Sequence, residues 1–285
     1  MKMRNEKIGR RLGYQALFDA EDIDDALVYA KDNGFGAVEL NLNGLNFLPE
    51  NYLGEDRRRV RKMAEKMGVQ MLLHAPEGLN LLNVQDGVRM AVVERLKEVV
   101  DYARDLSAAC VTFHLGFSSA ISVEGKMLPL YKAYPELYKE VVTSALLELS
   151  EYAKGKTNLC LENTEITTSR LVREILVGLL GQGGLCLTWD IGHSHQYNMR
   201  VRQWEEEFFL YYKNKIKNTH IHDNNGKWDE HNVLGKGTLD LGHYLPILLD
   251  LNSYMVFEVR PRERALESLR KFTECLEACS PVGPE

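Results

Sequence analysis

Between Thr219 and Gly237 the chain concentrates three of its eight histidines, His220, His222 and His231, together with Asp223 and Asp229. A core has no use for so many imidazoles and carboxylates, whereas a divalent cation does. Groups of the same chemistry stand elsewhere at or just past the ends of short apolar runs: His74, His114, Glu162, Asp190 with His193, and Glu258. In Asp190-Ile-Gly-His193 a carboxylate precedes an imidazole by three residues, and Gly192 is expected to allow the sharp turn that brings them together. Asp229-Glu-His231 sets its pair two apart, as in an extended loop whose alternate residues face one way. His220 and His222 alternate in the same fashion, one to ligate and the other to touch substrate. No cysteine lies near these residues. Oxygen and nitrogen donors alone imply Zn²⁺ or Mn²⁺, with Co²⁺ or Mg²⁺ also suited, in one to three sites.

Several neighbouring groups receive no ligand role. His195 reads as a rim residue and His243 as the start of an outer helix. Gly235-Lys-Gly237 reads as a plain turn, and Glu39 and Glu77 as carboxylates for salt bridges or proton transfer.

Ligands delivered by so many separate runs need an architecture that brings the run ends together. Eight β-like runs are expected: 8–13, 37–40, 69–74, 110–114, 158–162, 185–190, 216–222 and 255–259. They alternate with helical patterns over 23–33, 56–67, 88–106, 137–153, 169–180, 201–213, 241–251 and 262–278. In the third helix Val92, Leu96, Val99, Val100 and Ala103 recur at threes and fours while Glu94, Lys97 and Asp101 fall on the other side. Eight βα units with no proline- or serine-rich linker predict an α/β protein, a (β/α)8 TIM barrel forming one domain over 1–285. Its chemistry would sit at the carboxyl ends of the strands. An open doubly wound sheet would hold early and late ligands too far apart to share a cation.

The composition sets outer bounds. Hydrophobic residues make up 45% of the chain, enough for a core, yet no run of about 18 apolar residues offers a membrane span. The start Met1-Lys2-Met3-Arg4 runs into charged residues instead of an apolar export segment, so a cytoplasmic protein is expected. The five cysteines lack CxxC spacing; Cys110, Cys160 and Cys186 fall inside strands as small core residues, and Cys275 and Cys279 share the last helix. A formal charge of −6 argues against a broadly basic nucleic-acid surface. The basic stretch Arg57–Lys62, with Glu55, Asp56 and Glu65 beside it, is expected to be a solvated helix face.

At these residues the chain resembles the xylose isomerase-like barrel superfamily, which includes endonuclease IV and many sugar and sugar-phosphate isomerases and epimerases. The resemblance runs through His74-Ala-Pro-Glu-Gly-Leu-Asn-Leu81, Phe113-His-Leu-Gly-Phe-Ser118, Leu161-Glu-Asn-Thr164 and Asp190-Ile-Gly-His193. It continues in His220-Ile-His-Asp223, Asp229-Glu-His231, Leu234-Gly-Lys-Gly237 and Glu258. Endonuclease IV would imply nine ligands around three zinc ions: His74, His114, Glu162, Asp190, His193, His220, Asp229, His231 and Glu258. The isomerases would imply one cation held by Glu162, Asp190, His220 and Glu258. His220 is taken over His222 because it precedes Asp223 by three, as in the family.

The chain also departs from endonuclease IV. It has Asp190-Ile-Gly-His193 for Asp-Thr-Cys-His, His220-Ile-His-Asp-Asn-Asn225 for His-x-Asn-Asp-Ser-Lys, His74-Ala-Pro76 for His-x-Ser, and a shorter loop from Asp223 to Asp229. Lys236 replaces an acid. The resemblance therefore implies a sugar or sugar-phosphate isomerase or epimerase, with Glu162 and Glu258 as proton carriers and His222 and Arg260 on substrate oxygens. The alternatives are an apurinic endonuclease acting on abasic DNA, and a metal-binding barrel without catalysis.

Overall fold

Short runs buried on both faces are stable only in a parallel sheet covered by helices. The computed structural model, which describes residues 7–278, shows such a sheet closed on itself. Its strands are β1 (Leu12–Ala16), β2 (Ala37–Asn41), β3 (Gln70–His74), β4 (Cys110–Phe113), β7 (Asn158–Glu162), β8 (Leu185–Asp190), β9 (Ile216–Ile221) and β10 (Tyr254–Phe257). They pair in parallel in the order β1-β10-β9-β8-β7-β4-β3-β2, a (β/α)8 barrel with flanking helices. The two remaining strands, β5 (Ala120–Val123) and β6 (Lys126–Pro129), form an antiparallel hairpin outside the barrel. The Met1–Arg4 start and Cys279 lie outside the described residues.

Alternate residues of each strand point inward and stack in layers. At the floor Ala37, Leu72, Cys110, Cys160, Cys186 and Val256 form an apolar cluster of their own. Those three cysteines are buried and free, as small core residues should be. One step up lie Gln15, Glu39, Thr112, Thr188 and Asn218, all fully buried and polar. They bond one another, as in the 2.8 Å contact of the Thr112 and Thr188 hydroxyls. Above them the strands end in His74, Glu162, Asp190, His220 and Glu258. The floor and the outer core carry the apolar burial; the middle layer is a polar pedestal.

The helices fall where the periodicity places them, to within two residues; the last spans Arg262–Ala278 as expected. Three expectations are corrected. The first strand is Leu12–Ala16, not 8–13, because residues 7–9 form a helical turn that buries Ile8. Gln15 disguised the true strand, since a polar residue in an apolar run reads as a break; its amide instead serves the pedestal. The expectation of eight strands omits this hairpin, which buries nothing: Ile121, Val123 and Met127 are exposed. It reverses at Glu124 and Gly125, both at positive φ (50° and 75°). The third correction concerns Asp190-Ile-Gly-His193. That segment opens a short helix, Ile191–Gln196, so Gly192 is not needed for a turn.

The basic stretch is a paired helix face: Arg57 meets Asp105 at 2.9 Å, Arg59 meets Asp24 at 2.5 Å and Arg61 meets Glu65 at 2.9 Å. Among the described residues no helix is long and apolar enough to cross a membrane.

Candidate metal centre

His220 is the hub. It is the penultimate residue of β9, with no exposed surface, and its Nδ1 lies 2.9 Å from Glu162 Oε1 and 2.9 Å from Glu258 Oε2. Glu162 ends β7 and Glu258 follows β10, so the two carboxylates close on His220 from strands on either side of β9. Asp190, on neighbouring β8, places Oδ2 3.8 Å from the same nitrogen. Each of Glu162, Asp190, His220 and Glu258 offers one ligand atom within 4.8 Å of the others. His74 and His114 approach Glu162 from the far side, with Nε2 to Oε2 distances of 3.1 and 3.0 Å.

Three further groups adjoin it: His74 with Glu162 and His220, Asp190 with His193 and His222, and, joined to the last through His222, His222 with Asp229 and His231. Asp229 is the link. Its Oδ2 accepts from His193 Nε2 at 3.2 Å and from His231 Nε2 at 2.9 Å. The expected extended geometry of Asp229–His231 is not what joins them, because His231 sits in the left-handed region (φ 46°). A non-glycine residue held there stores local strain, a cost found most often at functional sites.

The Asp190–His193 segment is positioned twice over. Asp190 Oδ1 caps its short helix by accepting from the His193 amide at 2.7 Å. Asn163, next to Glu162, clasps the Asp190 backbone: its Oδ1 accepts from Asp190 N at 2.7 Å and its Nδ2 donates to Asp190 O at 2.9 Å. Gly192 admits the His222 ring, since a Cβ at that position would stand 2.1 Å from His222 Cε1. Close approach, not backbone freedom, is the reason for glycine. The loop beyond β9 is tied by Asp223, whose Oδ2 accepts from the amides of Gly235 at 2.8 Å and Gly237 at 3.0 Å. This glycine turn thus encloses a carboxylate of its own chain.

The electrostatics couple the carboxylates and imidazoles to one another. Burial opposes ionisation of Glu162, yet the charges of His220 and His114 hold its carboxyl well below the usual range. Burial likewise opposes ionisation of Glu258, and His220 and His231 hold it down. Burial disfavours the charged form of His74, but the bond to Glu162 raises its pKa to about 9. Protons on the imidazoles serve as counter-charges that a metal would displace. Two buried features have no hydrogen-bond partner among the described residues. Asp190 Oδ2 makes no hydrogen bond, nor does either ring nitrogen of His222, whose Nε2 stands 3.2 Å from Asp190 Oδ1. Carboxylate and imidazole donors around an orphaned buried oxygen fit a divalent ion.

The remaining candidates fall outside this cluster. Arg260 Nη2 donates to Glu258 Oε1 at 2.7 Å and also to Gln15, and its buried Nε has no partner. His195 is turned away to Thr238, and His243 pairs with Glu206 on the outer layer. Glu77 accepts from Asn43 near the rim. Sequence reasoning passed over Asn163, Gln15 and Glu205. Glu205 lies under the Asp190 segment and accepts from Ser194 Oγ at 2.5 Å. Its signal was present, because a glutamate four residues before Phe209 interrupts the apolar face of its helix. From His114 a cleft of about 640 Å³ opens past Gly116, Tyr131 and Thr164.

Sequence comparison agrees with the fold. The chain belongs to the xylose isomerase-like TIM barrel family, whose model matches residues 27–275. An uncharacterized Methanocaldococcus jannaschii protein, MJ1614, is 26% identical over 233 residues, spanning 78% of this chain and 80% of its own. A probable endonuclease 4 of Aquifex aeolicus is 24% identical over 196 residues, 63% of this chain and 66% of its own. Among solved structures, a D-tagatose 3-epimerase-like protein superposes with a TM-score of 0.74 at 23% identity, covering 94% of this chain and 97% of that one. Proteins similar to this chain thus include ones named for sugar chemistry and for nucleic-acid cleavage.

Proposed function

We propose that the protein is a divalent-metal-dependent isomerase or epimerase of a sugar or sugar phosphate, working in the cytoplasm. The observation that carries this is the approach of Glu162 and Glu258 to one atom, His220 Nδ1, at 2.9 Å each from opposite sides. Glu162, Asp190, His220 and Glu258 would hold one Zn²⁺ or Mn²⁺. The ion would supply Lewis-acid polarisation of a substrate carbonyl and the adjacent hydroxyl. One glutamate takes the proton from the carbon beside the carbonyl, and the C–H electron pair moves onto the carbonyl oxygen. The other glutamate, which must enter the cycle protonated, gives its proton to the opposite face as the enolate pair reforms the carbonyl, and the carbon is inverted. His222, with two unbonded ring nitrogens, and Arg260, with an unpartnered Nε, would bind substrate oxygens. The cleft at His114 gives the substrate its way in.

A panel of ketoses, aldoses and their phosphates, offered to the zinc- or manganese-loaded protein, tests the proposal. Conversion of one member, abolished by chelator, supports it; conversion of none sinks it.

A second activity, cleavage of abasic DNA, is favoured by one observation, the Asp229 bridge between His193 and His231, which supplies positions for further cations. Incision of a duplex carrying an abasic analogue under Zn²⁺ would establish it in place of the first. A barrel that binds metal without turnover predicts neither product.

A further inference from the structure

Three candidate ligand histidines share one device. His74, His193 and His231 donate Nδ1–H to the backbone carbonyls of Ala75, Asn163 and Glu258 at 2.8, 2.8 and 2.7 Å. A nitrogen so engaged cannot ligate, which leaves Nε2, now facing Glu162 or Asp229, as the nitrogen that would ligate once its proton is displaced. His220 is turned the other way. Its Nδ1 faces Glu162 and Glu258, and its Nε2 points down into the polar pedestal, where Asn218 Nδ2 lies 3.1 Å away and donates to Glu39 Oε2 at 2.7 Å.

The acceptor there is Glu39. Its Oε1 stands 2.9 Å from His220 Nε2, although β2 and β9 are separated in the barrel by β10 and β1. Glu39 is fully buried, and no lysine or arginine pairs with it among the described residues. Its oxygens are otherwise saturated: Gln15 Nε2 donates to Oε1 at 2.9 Å, and Asn218 Nδ2 to Oε2 at 2.7 Å. An unpaired carboxylate so deep is costly, so His220 is the partner that makes it tolerable. The pedestal fixes Glu39, and Glu39 fixes the ring.

We infer that Glu39 is the positioning residue of the metal centre: by accepting the Nε2 proton of His220 it keeps the Nδ1 lone pair on the side of Glu162, Asp190 and Glu258. The inference rests on the metal centre proposed above and not on the sugar chemistry. In Glu39→Gln the amide can rotate its NH₂ towards Nε2, which favours the tautomer with the proton on Nδ1 and turns a donor atom into an N–H. Glu39→Asp keeps the charge but shortens the reach.

Zinc affinity, measured by chelator competition on the full chain, together with ¹⁵N-histidine spectra of the zinc-loaded protein, tests this. Glu39→Gln is expected to weaken zinc binding by ~10–100-fold, with Glu39→Asp between it and wild type. Thr188→Val, which removes a pedestal hydroxyl bonded to Thr112 and not to His220, should stay within about twofold. The wild-type spectrum should show His220 protonated on Nε2 and metallated on Nδ1. Unchanged affinity in Glu39→Gln, or metallation at Nε2, overturns the inference. Should Glu39→Gln fail to fold, Glu39→Asp and the wild-type spectrum decide. No turnover is measured, so a protein that binds zinc in this way but converts no sugar refutes the enzymatic proposal alone. A wild-type chain that binds no zinc refutes the positioning role with the metal centre.

Discussion

Asp190 Oδ2 and His220 Nδ1 stand 3.8 Å apart on neighbouring strands, and the oxygen has no hydrogen-bond partner. Two atoms each about 2.1 Å from one tetrahedral ion lie about 3.4 Å apart. The separation is too long for a hydrogen bond and close to that of two ligands on one cation. Glu162 and Glu258 reach the same nitrogen, which makes this point the natural centre of the site.

Glu162→Gln and Glu258→Gln should each lower kcat by ~10²–10⁴-fold, because each removes a proton carrier as well as a ligand. Zinc affinity should fall too. Turnover that survives either change at near wild-type rate would rule out the two-glutamate scheme.

His222→Asn separates ligand from substrate contact. With His222 on a substrate oxygen, bound metal per chain is unchanged and KM rises about tenfold, the worth of one polar contact. Loss of metal in that variant would move His222 into the ligand set.

Gly192→Ala drives a methyl group to 2.1 Å from the His222 ring. A cost of about 1–3 kcal/mol in stability is expected from such overpacking, read by denaturant unfolding. Gly178→Ala, in a helix where a Cβ meets nothing within 4 Å, should instead be neutral or slightly stabilising.

Glu205 predicts a pH dependence. Burial pushes its carboxyl up to about 7 from 4.5, against the opposing Ser194 bond. Folding therefore favours the protonated form. The stability it contributes is fully present below about 4.5 and is lost as the pH rises through 7. Glu205→Gln should flatten this loss, gaining about 1–3 kcal/mol on wild type between about pH 5 and 8. Parallel pH profiles for the two proteins would show that the group does not titrate in that window.

How far the sequence carried the account can be seen residue by residue. Glu162, Asp190 and His220 stood at the ends of apolar runs, so strand alternation alone turned them into the barrel, and the cluster followed from closure. The pedestal was harder to see. Gln15 and Glu39 are polar residues inside buried strands, and their partners Asn218 and Thr112 come from strands far away in sequence; only closure of the barrel makes such burial affordable. Gly192 was assigned to a turn because its true constraint is the His222 ring, 30 residues on. The hairpin at 120–129 has no core to announce it.

The central claim concerns a proton on carbon, so the most direct measurement is solvent exchange. Zinc- or manganese-loaded protein should be incubated in D₂O with ketoses and ketose phosphates and followed by ¹H NMR. The account predicts deuterium at the carbon beside the carbonyl of at least one substrate, lost on chelation and in Glu162→Gln. No exchange with any of them, while the same preparation incises an abasic duplex, would contradict it.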